Sequence, residues 1–201
     1  MTDISAERHA MRARIKERRH ALGAAERIAA AQGLATQLAQ LPELTVDQRI
    51  GGYFAVNGEL SLHLVVAQCW RRGQAFHLPL TSAPRRLHYA PYTASTAVTP
   101  NRFGIPEPHA DTADLVEPDA LDLVLVPLLA FDRRGHRLGY GGGFYDASFA
   151  FLQQRERPSV PLLVGIGYAF QEAATLAPES WDVRLDFIAT ERELIDCSAT
   201  E

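Results

Sequence analysis

Apolar positions recur at helical spacing through the first forty residues. Met11, Ile15 and Leu22 mark one helix, which Gly23 breaks. Ile28, Ala31, Leu34, Leu38 and Leu41 form the stripe of a second, closed by Pro42. The period then shortens: residues 49–55 read as a strand and Asn57-Gly58 as a turn. Ser61 is placed to cap a helix in which Leu62, Val65, Val66, Cys69 and Trp70 share one face, and Gly73 ends it. Residues 75–78 and 87–92 are further strands. Residues 93–118, rich in Pro, Thr and Asp, predict an irregular surface excursion. Residues 121–126 are nearly all branched and apolar, as in a parallel strand buried on both faces. Residues 162–166 repeat that character, and 187–189 form the last strand. Strands alternating with helices predict a three-layer α/β/α fold with a mostly parallel central sheet, one domain over residues 1–201.

In such sheets ligands bind beyond the carboxyl ends of the strands. The run Arg137-Leu138-Gly139-Tyr140-Gly141-Gly142-Gly143-Phe144-Tyr145-Asp146 follows the strand at 121–126 and precedes a helix through Ala147 and Phe151. Glycines remove the Cβ atoms that hold a ligand off the backbone and permit positive φ, so successive N–H groups can line one concavity and bind an anion. Arg137 adds a phosphate clamp and Asp146 a metal ligand. No Gly-Lys-Ser or Gly-Lys-Thr closes the loop as in a Walker motif. Gly139-x-Gly141 begins like a dinucleotide fingerprint, but the sixth position is Phe144.

This decamer, with Pro127 and Phe131-Asp132 ahead of it, resembles the signature of the 5-formyltetrahydrofolate cyclo-ligase family. Tyr53-Phe54 followed by Glu59, the segment Phe103-Gly104-Ile105-Pro106-Glu107-Pro108, Gly165-Ile166-Gly167-Tyr168-Ala169, and Glu179-x-x-Asp182-x-x-x-Asp186 through Thr190 resemble further family segments in the same order. The resemblance implies a fold like that of sugar-phosphate isomerases and CoA transferases. It also implies ATP-driven cyclisation of 5-formyltetrahydrofolate to 5,10-methenyltetrahydrofolate with magnesium as cofactor, and leaves open whether polyglutamylated forms are accepted. By the same resemblance Arg137 and Tyr145 are catalytic. ATP is bound by Arg8, Arg12, Arg137, Leu138, Gly139, Tyr140, Gly141, Gly142, Gly143, Phe144 and Tyr145. The folate is bound by Phe54, Ala55, Glu59, Phe103, Tyr140, Gly141, Gly142, Gly143 and Phe144, and the metal by Asp146 and Asp186. Arg8 stands where the family carries lysine, and Lys16 is the one lysine of the chain. Gly142 stands where some members carry lysine.

Read from the residues alone, Arg8 and Arg12 are a solvated basic face; Asp146 stays open between a metal ligand and a helix-start acid, Asp186 between a metal ligand and a strand-edge acid, and Phe54 between a pterin contact and core. Two other functions stay open: a sugar-phosphate isomerase whose loop holds substrate phosphate, and a nucleotide-binding module without turnover. Composition narrows the field. The net charge of −4 argues against a nucleic-acid partner. No apolar run reaches the ~20 residues that span a bilayer, and the polar start carries no apolar signal core. Cys69 and Cys197 have no metal-binding spacing, and Cys69 lies on an apolar helix face, as a buried free thiol would. These features predict a cytoplasmic protein with a small-molecule substrate, expected to act as a monomer.

Overall fold

Successive residues of the apolar run 121–126 face opposite ways. Leu123 and Leu125 enter one core with Leu34, Leu38, Val65, Val66 and Cys69. Val124 and Val126 enter a second with Leu87, Tyr89, Phe149 and Leu152. A strand buried on both faces needs a layer on each side, and the computed structural model, which describes residues 4–200, supplies both. The predicted three-layer α/β/α arrangement is what the chain adopts.

Helices α1 (Ile4–Ala21) and α2 (Ala24–Leu38) meet at Gly23, whose N–H donates to Glu26 Oε2 at 2.8 Å. A short α3 (Pro42–Val46) leads into β1 (Arg49–Gly51), then α4 (His63–Arg71), β2 (Ala75–Ser82) and β3 (Arg86–Pro91). The pairs β4 (Val98–Pro100) with β5 (Pro106–Pro108), and β7 (Ala130–Phe131) with β8 (Arg137–Leu138), flank β6 (Leu123–Pro127) in sequence. The chain ends through α5 (Phe144–Phe149), β9 (Leu162–Ile166), β10 (Phe187–Ala189) and β11 (Leu194–Asp196).

The main sheet runs β11-β10-β9-β6-β1-β2-β3, parallel except for β3 and β11 at its edges. From β1 the chain moves to β2 on one side and later returns to β6 on the other. The strand order therefore reverses between β1 and β6, where Ile50 pairs with Leu123. Beyond Pro127 the β7–β8 hairpin carries the chain to the glycine loop, which thus lies past the carboxyl end of β6. Asp132 braces this hairpin by accepting from the amides of Arg134, His136 and Leu176 at 2.9–3.1 Å.

Several elements depart from the sequence reading. β1 stops at Gly51 rather than Ala55, with the amide of Gly52 still donating to His77 O at 2.9 Å. Helix α4 starts at His63, one turn position later than a Ser61 cap predicts, and Ser61 Oγ accepts the His63 amide only at 3.4 Å. The buried stripe of α2 runs through Ala30, Ala31, Leu34, Ala35 and Leu38, leaving Ile28 57% exposed. The excursion at 93–118 is not wholly irregular, since it holds the β4–β5 pair. Cys69 and Cys197 are buried free thiols, as expected for Cys69, and burial pushes the Cys69 thiol up to about 11. Among the described residues no helix is long and apolar enough to cross a membrane.

Candidate active site

The loop from Gly139 to Gly143 leaves β8 with Gly141 at φ +97° and Gly143 at φ +68°, both left-handed. Glycine adopts these angles without steric cost. Among the described residues, none of the backbone amides of 139–143 donates a hydrogen bond to the protein. Backbone donors are rarely left without a partner unless water or a ligand takes them. Their concentration in one exposed loop leaves a run of donors of the kind that can take an anion.

Helix α1 lies along this loop by its basic face. Arg12 Nε donates to Gly139 O at 2.9 Å, and both its burial and the neighbouring Arg8 hold its pKa below the usual guanidinium value. Arg8, one turn earlier, donates to Ala177 O at 2.6 Å and to Glu179 Oε1 at 3.1 Å, with Asp182 Oδ2 at 3.8 Å. Lys16 stands 5.6 Å from the Tyr140 ring centre. The face that would otherwise be solvated is one wall of the site.

Arg19 completes the row, and the sequence reading missed it. It is 1% exposed and spreads its fork over three segments. Nε donates to Gln171 Oε1 at 3.2 Å, Nη2 to Leu128 O, and Nη1 to the Tyr140 hydroxyl at 2.5 Å. That hydroxyl donates in turn to Glu59 Oε1 at 2.7 Å, while Glu59 Oε2 accepts the Val56 amide at 3.0 Å. Burial pushes the Glu59 carboxyl above its ordinary value, against the pull of the Val56 amide, Tyr140 and Arg19. The Tyr140 phenol is likewise raised, first by burial and then by Glu59. Glu59 follows the Asn57-Gly58 turn, in which both residues have positive φ as that pair predicts.

The two aspartates expected at a metal lie in different places. Asp146 Oδ1 accepts from Arg137 Nη2 and from the Val183 amide at 3.2 Å, leaving Oδ2 without a partner among the described residues. Arg137 also donates to Val183 O. Asp186 is 8% exposed, and its Oδ2 accepts from Arg157 and from the Leu163 amide at 2.8 Å. Leu163 is near the amino-terminal end of β9, whereas the loop lies past the carboxyl end of the neighbouring β6. Asp182 adjoins Val183 in the chain, and its Oδ2 accepts the Glu179 amide at 2.9 Å beside Arg8. Among the described residues no group of three or more His, Cys, Asp or Glu side chains could hold a metal by itself.

The aromatic candidates divide similarly. Phe54 and Ala55 follow β1 at its carboxyl end and are half-buried against the core. Phe103, 55% exposed at the tip between β4 and β5, meets Phe144 edge-on at 6.2 Å. Asn101 Oδ1 holds that tip by accepting the amides of Phe103 and Ile105 at 2.8 and 3.1 Å. Tyr145 is turned toward the core and stacks on Phe149 at 6.3 Å, with burial raising its phenol pKa. Leu138 is buried, whereas Tyr140 is 39% exposed beside the loop.

Comparison with known proteins finds likenesses over nearly the whole chain. Solved structures share the fold: the 5,10-methenyltetrahydrofolate synthetase of Aquifex aeolicus matches with TM-score 0.78 at 26% identity, covering 94% of this chain and 92% of that one. The fold of the Mycoplasma pneumoniae 5,10-methenyltetrahydrofolate synthetase matches with TM-score 0.68 at 24% identity, covering 92% of this chain and 98% of that one. Among curated proteins, the 5-formyltetrahydrofolate cyclo-ligase of Haemophilus influenzae is 33% identical over 181 residues, 89% of this chain and 94% of the relative. That of Escherichia coli K12 is 30% identical over 178 residues, 88% of this chain and 96% of the relative. Residues 4–191 match the family itself, a span that runs from the basic face of α1 past the glycine loop to the last parallel strand, so the chain belongs to the 5-formyltetrahydrofolate cyclo-ligase family.

Proposed function

We propose that this protein cyclises 5-formyltetrahydrofolate to 5,10-methenyltetrahydrofolate at the expense of ATP. The observation that carries the reading is the glycine loop, with its free amides, joined through Tyr140 to the buried carboxylate of Glu59. One side of that junction suits polyphosphate, and the other suits the N–H edge of a pterin. The names of the relatives support the substrate, and the chemistry supports the nucleotide.

A formyl oxygen is a poor leaving group. In this reading it attacks the terminal phosphorus of ATP and ADP departs. N10 then attacks the activated carbon, the phosphate leaves with the former formyl oxygen, and the N10 proton is lost to solvent. Little covalent work is asked of the protein; it must align two substrates and neutralise the charge of the transferring group. The amides of 139–143 and Arg12 receive the phosphates, with Arg137 holding the loop's far end through Asp146. Tyr145 sets the core side of the loop through Phe149 rather than reaching a reacting atom. Glu59 accepts N–H groups of the pterin on lone pairs left over from Tyr140 and Val56, and Phe103 offers a ring face for stacking.

Magnesium fits part of the expected ligand set. Asp146 would hold it through Oδ2, with Asp182 as the nearby second carboxylate, since one or two carboxylates with phosphate and water oxygens suffice for this ion. Asp186, buried in its pair with Arg157, does not fit. When bound, the ion would offset negative charge on the phosphates.

The test is an absorbance assay for methenyltetrahydrofolate with purified protein, 5-formyltetrahydrofolate and magnesium, with and without ATP. ATP-dependent product supports the reading. Folded protein that forms none, or forms it equally without ATP, overturns it in favour of a binding module or an ATP-independent enzyme.

A further inference from the structure

A cation from outside α1 also reaches the glycine loop. Arg85 lies in the turn between β2 and β3 at φ +117°, a conformation that residues with a Cβ rarely adopt. Its Nη1 is 3.8 Å from the point where a Cβ on Gly143 would stand. Arg12 Nη2 is 3.9 Å from the corresponding point on Gly141. Two guanidinium groups thus flank the loop, one from the helix and one from the hairpin.

Their protein partners differ. Arg12 is bonded to Gly139 O, Arg137 to Asp146 and Val183 O, and Arg8 to Glu179. The Arg85 side chain is exposed and makes no hydrogen bond or ion pair with any described residue. The hairpin and the loop nevertheless share one frame, because the Leu87 amide donates to Ser148 Oγ of α5 at 2.8 Å. A guanidinium beside this loop, with no carboxylate among the described residues to neutralise it, leaves a concentrated positive potential. Its planar fork matches phosphate oxygens.

We infer that Arg85 is a phosphate-binding residue of the nucleotide site, contacting the polyphosphate on the Gly143 side of the loop as Arg12 does on the Gly141 side. The inference rests on the nucleotide reading above and adds to it a residue that no motif contains. A folate carboxylate is the rival ligand, and it separates cleanly in the kinetics.

The experiment compares wild type, Arg85→Ala and Arg85→Lys. It measures equilibrium binding of AMP, ADP and a non-hydrolysable ATP analogue, and steady-state KM for each substrate. Wild type that binds no nucleotide at all would defeat the nucleotide reading and this inference together. With wild-type binding in hand, Arg85→Ala is expected to weaken the ATP analogue about tenfold or more. AMP affinity and the KM for folate should stay within about twofold, and Arg85→Lys should recover part of the loss. Unchanged binding of the ATP analogue, or a rise confined to folate KM, overturns the inference while leaving the nucleotide reading in place. Because Arg85 is exposed, its removal should leave the unfolding temperature unchanged, so a loss of fold is recognised separately.

Discussion

The Tyr140 hydroxyl donates to Glu59 Oε1 at 2.7 Å while accepting from Arg19 at 2.5 Å. A residue of the glycine loop is thereby fastened to the carboxylate proposed to bind folate. The buried guanidinium behind both fixes their orientation.

Tyr140→Phe deletes that bridge and leaves Arg19 and Glu59 each short of one bond. An unmade bond to a buried charged group costs about 1–3 kcal/mol. The KM for folate should rise about tenfold, and the unfolding temperature should drop by several degrees at about 2–4 °C per kcal/mol. Steady-state kinetics with thermal denaturation checks both. An unchanged folate KM would show that Tyr140 does not orient Glu59.

In the proposed role Glu59 accepts N–H groups on both oxygens, which requires the ionised form, and burial raises its pKa above the ordinary carboxylate value. As pH falls through that raised value the carboxylate is lost. The folate kcat/KM should therefore decline on the acid side at a pH above the ~4.3 of a free glutamate. Glu59→Gln should lower folate kcat/KM throughout and flatten that acid limb. A limb that persists in the variant would assign it to another group.

The three aspartates near the carboxyl-terminal segment separate by their response to magnesium. Asp146→Asn and Asp182→Asn should raise the magnesium concentration for half-maximal turnover by about tenfold or more. Asp186→Asn should leave it unchanged and lower thermal stability, because it removes the buried carboxylate that pairs with the half-buried Arg157. Titrating magnesium at saturating ATP decides among them. A magnesium response in the Asp186 variant alone would restore the role implied by the family motif.

Asp47 offers a test of packing away from the site. Burial, with Asp122 and Glu43 near it, pushes its carboxyl up to about 6. A folded pKa above the unfolded value means the protonated form favours folding. The cost of ionisation is absent below the unfolded pKa of ~4, grows between the two values, and is full above the folded one. Asp47→Asn should then stabilise the protein at pH 8 by about 1 kcal/mol, after allowance for solvent screening, and by nothing at pH 3.5. Denaturation at the two pH values measures it; an equal gain at both would point to a helix-end effect instead.

What could be read from the chain depended on how far each signal was local. The runs at 121–126 and 162–166 announced β6 and β9 because a strand covered on both faces carries branched apolar residues at every position. Strands β7, β8 and β11 have two or three residues, too few for a period to show. Arg8 and Arg12 were legible as a face, and the glycine run as a loop after the strand at 121–126 with left-handed glycines. Arg19 falls on that same face at helical spacing, yet its burial depends on Leu128, Tyr140 and Gln171, which only tertiary packing assembles. Asp186 and Asp182 stand four positions apart in one motif. Nothing local distinguishes the one that faces Arg157 and Leu163 from the one that faces Arg8.

The most direct test of the account uses 5-formyltetrahydrofolate carrying oxygen-18 in the formyl group, turned over with ATP and magnesium. If the formyl oxygen takes the terminal phosphoryl group of the bound nucleotide, every methenyltetrahydrofolate formed should leave one labelled oxygen in inorganic phosphate. Label found in water instead, with unlabelled phosphate, would contradict phosphorylation of the formyl oxygen and with it the role given to the glycine loop.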